Sequence, residues 1–171
     1  MIVGIGGASN AGKSWLAKSI KENCPDKKIK TLCQDNFVFP VEQQPRIKDR
    51  VDWEIPASID FAKFKTAIIK NQGNFDIVIA EGLMAFYDKE INRLYDRKVF
   101  IEITKRNFLR RKSIDRRWGE EPNWYIEHIW SSYLKYGRVP KNDPSYLLAF
   151  ANNLDVAEVV NFICGQQPQT Q

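Results

Sequence analysis

Short apolar runs alternate with stretches in which apolar residues recur at helical spacing, and this pattern predicts alternating strands and helices. The predicted strands are the apolar runs at residues 1–5, 28–33, 75–80, 99–103 and 146–150. The run at 75–80 is apolar almost throughout, which is typical of a central strand in a parallel sheet. We therefore predict a three-layer α/β fold, in which a five-stranded parallel sheet with right-handed crossovers carries helices on both faces.

The predicted helices are marked by apolar residues spaced three or four positions apart. One spans residues 13–23, and one rich in basic residues runs from 105 to about 117. Four more are indicated by these sets of apolar residues: Phe61, Phe64 and Ile68; Tyr87, Ile91, Leu94 and Tyr95; Ile126, Ile129, Trp130, Tyr133 and Leu134; Val156, Val159, Val160 and Ile163. Residues 38–56 lack a period and contain three prolines, so they predict a long surface loop of the kind that often carries function. We expect one domain over 1–164 and a polar, frayed tail over 165–171.

A glycine-rich stretch between the first predicted strand and the first helix matches the phosphate-binding pattern G-x-x-x-x-G-K-S/T without a mismatch. Its residues are Gly7, Ala8, Ser9, Asn10, Ala11, Gly12, Lys13 and Ser14. In such a loop, backbone N–H groups and a helix N-terminus surround a phosphate chain. We expect Lys13 to reach the β- and γ-phosphates and Ser14 to offer its hydroxyl to a magnesium ion. An ordinary glycine-rich turn is the alternative, but both flanking elements favour a P-loop NTPase fold.

Acidic residues follow two of the predicted strands, where ligands gather in open parallel sheets. Glu81 comes directly after the central strand, which is the usual position of a carboxylate that holds magnesium. Asp35 follows the second strand and is a candidate general base, although an Asx-turn or a helix N-cap would explain it equally well. In the long loop, Asp52 and Glu54 flank Trp53, a combination suited to sugar hydroxyls and a flat ring.

Composition excludes several classes of protein. The 171 residues are 43% hydrophobic, enough for one domain with a real core. No window approaches the roughly 18 apolar residues of a membrane span, and the N-terminus reads as a core strand, so we expect a cytoplasmic protein without a signal peptide or a membrane partner. The three cysteines form no C-x-x-C pair and their number is odd, which argues against a disulfide framework and a zinc site.

The net charge of +5 is concentrated in one span, which indicates an anionic partner. The span contains Lys105, Arg106, Arg110, Arg111, Lys112, Arg116 and Arg117. Nucleic acid, a membrane surface and a polyphosphate are all anionic, and the phosphate loop favours the polyphosphate; a merely solvated helix face is the alternative. Helix, basic loop and helix over about 105–124 would form a lid over a bound phosphate. His128 lies off the apolar stripe of the next helix, and we place it outside the site.

The whole chain resembles the nucleoside kinases that include uridine-cytidine kinases and nicotinamide riboside kinases. Four segments carry the resemblance: the loop at 7–14, QDNF at 34–37, EGLMAFY at 81–87 and HIWSSYLKY at 128–136. The resemblance implies that ATP phosphorylates a ribonucleoside 5′-hydroxyl. It implies Asp35 as general base, Lys13 as phosphate lysine, Ser14 and Glu81 around magnesium, and Asp52 as ribose-binding acid.

The four segments divide between the two kinases, so the nucleoside base stays open. Segment 81–87 and the DWEIP stretch at 52–56 look like uridine kinases, whereas segment 128–136 and the compact lid look like nicotinamide riboside kinases. We favour nicotinamide riboside as the substrate and nicotinamide mononucleotide as the product, with uridine or cytidine as the alternative. Val51 departs from the second group, whose members often carry a base-stacking aromatic residue there; Trp53, Trp118 or Trp124 would supply the ring instead.

The resemblance also bears on the remaining ligands and on two other classes of protein. We expect Arg111 and Arg116 to contact the ATP phosphates, Trp53, Glu81, Asp35 and Asp52 to contact the nucleoside, and the protein to be a monomer or a homodimer. A regulatory GTPase is disfavoured because the chain lacks N-K-x-D and D-x-x-G. A nucleic-acid-binding module would also use the basic span and would show salt-dependent oligonucleotide binding, which we do not expect here.

Overall fold

Five parallel strands form the sheet in a computed structural model that describes residues 1–117 and 119–165. Their order across the sheet is β2-β5-β1-β6-β7, and a separate hairpin of β3 and β4 lies in the long loop. The strands are β1 (Ile2–Gly7), β2 (Ile29–Cys33), β3 (Arg46–Ile47), β4 (Arg50–Val51), β5 (Ile77–Gly82), β6 (Arg97–Glu102) and β7 (Tyr146–Phe150). The predicted α/β fold with a five-stranded parallel sheet is confirmed.

Helices cover both faces of this sheet because side chains alternate along buried strands. In β5, Ile77 and Ile79 belong to one apolar cluster, whereas Val78 and Ala80 belong to the other. The helices are α1 (Lys13–Asn23), α2 (Phe61–Asn71), α3 (Lys89–Asn92), α4 (Lys105–Lys112), α5 (Asn123–Ser132) and α6 (Val156–Cys164). Helices α1, α5 and α6 pack on the first cluster, and α2 with α3 packs on the second. Within the described ranges, no helix is long and apolar enough to cross a membrane.

Two helices are shorter than their patterns predict. Helix α3 is a single turn capped by Asp88. Tyr95 lies beyond this turn and is buried without being helical, so its apolar position reflects packing and not a longer helix. Helix α4 ends at Lys112 rather than near Arg117, because the Asp115 carboxylate accepts hydrogen bonds from the Arg117 backbone and guanidinium and so competes with the helix.

The long loop is more ordered than its sequence predicts. Besides the hairpin, it contains short 3₁₀ turns at Val41–Gln43 and Pro56–Ser58. The buried Ser58 hydroxyl holds the second turn by contacting the Trp53 and Ile55 carbonyls at 3.0 and 2.6 Å. The expected tail beyond Gly165 and the candidate ring of Trp118 lie outside the described residues.

Candidate active site

The glycine-rich loop at 7–14 follows β1 directly, and its backbone needs glycine at both ends. Gly7 has φ 148°, and a Cβ there would lie 2.6 Å from the Ile101 carbonyl oxygen on β6. Gly12 has φ 108° and is the N-cap of α1, where no side-chain cap bond forms within the described ranges. Because the N–H groups of a helix start need partners, this end of α1 is suited to an anion such as phosphate.

Lys13 and Ser14 open α1 with their side chains in place for phosphate and a cation. The Lys13 ammonium donates to the Ala8 carbonyl at 2.9 Å, so it curls over the loop. The Ser14 hydroxyl donates to Glu81 Oε1 at 2.7 Å, and Glu81 is only 2% exposed at the end of β5. A hydroxyl and a carboxylate oxygen side by side are ligands that Mg²⁺ accepts, with phosphate oxygens and water completing its shell.

A cavity of about 510 Å³ opens beside this loop, beyond the carboxyl end of β2. Its lining contains Ser9, Lys13, Gln34, Asp35, Val38, Arg50, Val51, Trp53, Glu54, Ile59, Leu83, Met84, Lys112, Glu121 and Tyr125. Four of the residues predicted for the site therefore share one cavity: Ser9, Lys13, Asp35 and Trp53. Trp124, another candidate ring, is not in the lining; Lys48 lies 4.1 Å from the centre of its ring instead.

Asp35 lies in the 3₁₀ turn Gln34–Asn36 that follows β2. Within the described residues its carboxylate accepts no hydrogen bond, so it caps neither this turn nor a helix and faces the cavity. The pKa of the neighbouring Cys33 thiol is raised to about 12, first by burial and then by the negative charges of Asp35 and Glu81. Asp35 and Glu81 thus place two carboxylates near the end of β2, and Asp35 is the one that lines the cavity.

Asp52 lies just behind the cavity wall, where it is 5% exposed and bonded to His128. His128 Nε2 on α5 is 2.8 Å from Asp52 Oδ1, which also accepts from the Glu54 backbone N–H at 3.1 Å. The expectation that His128 lies apart from the site missed this contact, because 76 residues separate the pair and no local motif joins them.

A buried ion pair that the sequence did not predict closes the side of the cavity next to α4. Lys112 Nζ is 2.5 Å from Glu121 Oε2, and their side chains are only 3% and 10% exposed. Glu54 shares the cavity with this pair. Burial, followed by the nearby Asp35 charge, raises the pKa of the Glu54 carboxyl to about 7, while Lys112 acts in the opposite direction.

Two arginines of the basic span, Arg111 and Arg117, contact the loop in ways the sequence did not specify. Arg111 donates to the Asn10 carbonyl at 3.0 Å and to the Ala151 carbonyl at 2.6 Å, so it braces the loop against the segment after β7. Arg117, which was not among the predicted site residues, bonds the Asn10 side chain. Arg116 is exposed, and its contact with phosphate stays a prediction.

Comparisons with known proteins find relatives among the kinases, although no family model matches the chain. A uridine kinase of Mycoplasma genitalium is 31% identical over 152 residues, which cover 72% of this chain and 70% of that protein. Nicotinamide riboside kinase 1 of Mus musculus is 26% identical over 153 residues, covering 79% and 77%.

Solved structures show the same fold at lower identity. A possible uridine kinase from Bacillus stearothermophilus superposes with a TM-score of 0.58 at 13% identity, covering 86% of this chain and 88% of that one. A gluconokinase from Sinorhizobium meliloti gives a TM-score of 0.57 at 16% identity, with 93% and 86% covered. Both likenesses concern the fold alone.

Proposed function

Because this chain belongs to the P-loop nucleoside kinase family of the uridine kinases and nicotinamide riboside kinases, we propose that it phosphorylates nicotinamide riboside. The family uses ATP, and the reaction would transfer the γ-phosphoryl group to the 5′-hydroxyl and yield nicotinamide mononucleotide. We also propose that the protein acts in the cytoplasm, where ATP is abundant, as a monomer or a homodimer that needs no nucleic acid or membrane.

The observation that carries the proposal is the cavity in which Lys13 and Asp35 meet apolar and aromatic walls. A nucleoside there would direct its 5′-hydroxyl towards the loop and its base towards Val51, Trp53 and Tyr125. Asp52 lies behind the lining, and it would accept hydrogen bonds from ribose hydroxyls through Oδ2, because Oδ1 is bonded to His128 and to the Glu54 N–H.

The chemistry assigned to these residues is positioning and charge stabilisation, the main contributions in phosphoryl transfer. Asp35 would accept the proton of the 5′-hydroxyl as that oxygen attacks. Lys13 and the start of α1 would hold the phosphates, and Arg111 and Arg116 would approach them from the lid. Ser14 and Glu81 would hold magnesium, which neutralises phosphate charge when bound.

Uridine or cytidine is the alternative acceptor, and two observations favour it. The relative at 31% identity is a uridine kinase, whereas the nicotinamide riboside kinase is 26% identical. Val51 also lines the cavity at the position where a nicotinamide riboside kinase is expected to have an aromatic residue that stacks on the base.

The substrate proposal is tested by ATP-dependent turnover of nicotinamide riboside, uridine, cytidine and adenosine, each measured as kcat/KM. We expect nicotinamide riboside to have the highest value. A higher value for uridine or cytidine would replace the substrate and leave the kinase assignment intact.

The role of Asp35 is tested by Asp35→Asn, with Asp49→Asn on the exposed hairpin turn as the matched control. Asp35→Asn should lower kcat by roughly 10²–10⁴-fold, the typical contribution of a general base. ATP binding, measured by fluorescence of a labelled nucleotide, should change little in both variants. Unchanged turnover in Asp35→Asn would contradict the assignment.

A further inference from the structure

The backbone of Glu54 is held at the edge of the cavity by its neighbours in the chain. Its backbone N–H donates to Asp52 Oδ1 at 3.1 Å, and the Ser58 hydroxyl fixes the carbonyls of Trp53 and Ile55 on either side. The Glu54 side chain lines the cavity. The position of its backbone is therefore set by the loop itself.

The Glu54 carboxylate has no partner of its own in the described part of the chain: no hydrogen bond to its oxygens and no ion pair is found there. Lys112 is the buried cation nearby, but its ammonium is bonded to Glu121 at 2.5 Å. Asp35 and Asp52 add further negative charge around Glu54. The cations Arg50 and Lys13 also line the cavity, but neither pairs with Glu54, so its carboxylate has no direct partner there among the described residues.

Aromatic rings complete this corner of the cavity, since Trp53 and Tyr125 also line it. The Arg50 guanidinium lies 5.8 Å from the centre of the Tyr125 ring, so Trp53 is the ring without a cation beside it in the described residues. A carboxylate beside aromatic faces is a suitable environment for an organic cation, which is attracted both to the negative charge and to the ring faces. The pyridinium ring of nicotinamide riboside is such a cation. Its ring nitrogen carries no hydrogen, so charge rather than hydrogen bonding must recognise it, whereas uracil is neutral.

We propose that Glu54 determines base specificity by favouring a positively charged base over a neutral one of the same shape. The inference rests on the proposed function, because it names the charge on the base as the property that the nucleoside site reads.

The ionisation of Glu54 gives the inference a second signature. With its pKa raised to about 7 by burial, Asp35, Asp52 and Glu121, and held down by Lys112, Glu54 gains its charge near neutral pH. The phenol of Tyr125 faces the same region, and its pKa is raised beyond this range. Binding of a cation should therefore strengthen as pH rises through about 7, relative to binding of a neutral analogue.

The test compares nicotinamide riboside with its reduced, dihydropyridine form, which has nearly the same shape and no charge. Glu54→Gln should lower kcat/KM for the cationic riboside about tenfold, equivalent to about 1.4 kcal/mol, and change the value for the reduced riboside less than about twofold. Glu54→Asp should keep most of the preference. Glu42→Gln, an exposed acid in the same loop, is the control for net charge.

Dissociation constants of both ribosides, measured by calorimetry, provide a readout that does not depend on turnover. An equal loss for the two ribosides in Glu54→Gln, or no loss for either, would overturn the inference. If uridine is the better substrate of the wild type, the proposed function fails, yet the ratio between the two ribosides still decides the role of Glu54.

Discussion

The buried ion pair between Lys112 and Glu121 offers the sharpest test of how the cavity is built. It joins the last residue of α4 to the segment just before α5, so it ties together both sides of the predicted lid. The change we consider is Lys112→Met, which keeps most of the side-chain volume and removes the charge. Glu121 would then keep a carboxylate that is 10% exposed without its cation.

The magnitude follows from the burial of the pair. Removing one partner of a buried ion pair typically costs about 3–5 kcal/mol, because the remaining charge is desolvated without compensation. The matched control is Lys105→Met, since Lys105 pairs with Glu127 at 2.7 Å while both side chains are about half exposed, at 46% and 53%. An exposed pair contributes only about 0–1 kcal/mol.

The assay is equilibrium unfolding in urea, followed by tryptophan fluorescence. For a slope of about 2 kcal/mol per M, Lys112→Met should lower the midpoint by about 2 M and Lys105→Met by less than about 0.5 M. The double variant Lys112→Met with Glu121→Gln should recover much of the loss, because neither charge is left alone. Equal losses for the two lysine variants, together with additive effects in the double variant, would refute this reasoning.

Two further predictions concern the contacts around Asp52 and Glu54. His128→Ala should raise the KM for the nucleoside severalfold and leave the KM for ATP unchanged, since His128 contacts Asp52 and not the loop at 7–14. Steady-state kinetics measures both constants, and the KM of His128→Gln for the nucleoside should lie closer to the wild-type value. An equal rise in both constants would contradict the prediction. The folded-state pKa of Glu54 lies above its ordinary value of 4.5, so the folded protein binds more protons than the unfolded chain between pH 4.5 and about 7. The unfolding free energy of the wild type should therefore fall relative to Glu54→Gln as pH rises through that range, by up to about 3 kcal/mol before solvent screening reduces it. An equal difference between the unfolding free energies of the two proteins at pH 5 and at pH 8 would contradict this prediction.

The sheet could be predicted because each of its strands is a local apolar run. The hairpin could not, since β3 and β4 have two residues each and their turn contains Lys48 at φ 52° rather than the usual glycine or asparagine. Helix α3 was overestimated for a related reason: burial of Tyr95 produced helical spacing without a helix.

The candidate site was predictable where a motif is contiguous. Lys13 and Ser14 belong to one loop, and Glu81 is the next-to-last residue of a strand that pairs with β1, so topology brings them together. The partner of Asp52 was not predictable in this way, because His128 lies on a different element and its contact depends on how α5 packs. The charge state of Glu54 likewise depends on groups that only the folded chain assembles.

The most direct test of the account is a competition in one reaction that contains the enzyme, Mg-ATP and equal concentrations of nicotinamide riboside and uridine. Mass spectrometry of the early products gives the ratio of the two kcat/KM values without separate kinetics, and ³¹P NMR identifies the phosphorylated position. We predict that nicotinamide mononucleotide, phosphorylated at the 5′-oxygen, forms in excess. Uridine monophosphate in excess would contradict the proposed substrate, and formation of neither nucleotide would contradict the proposed reaction for both candidate acceptors.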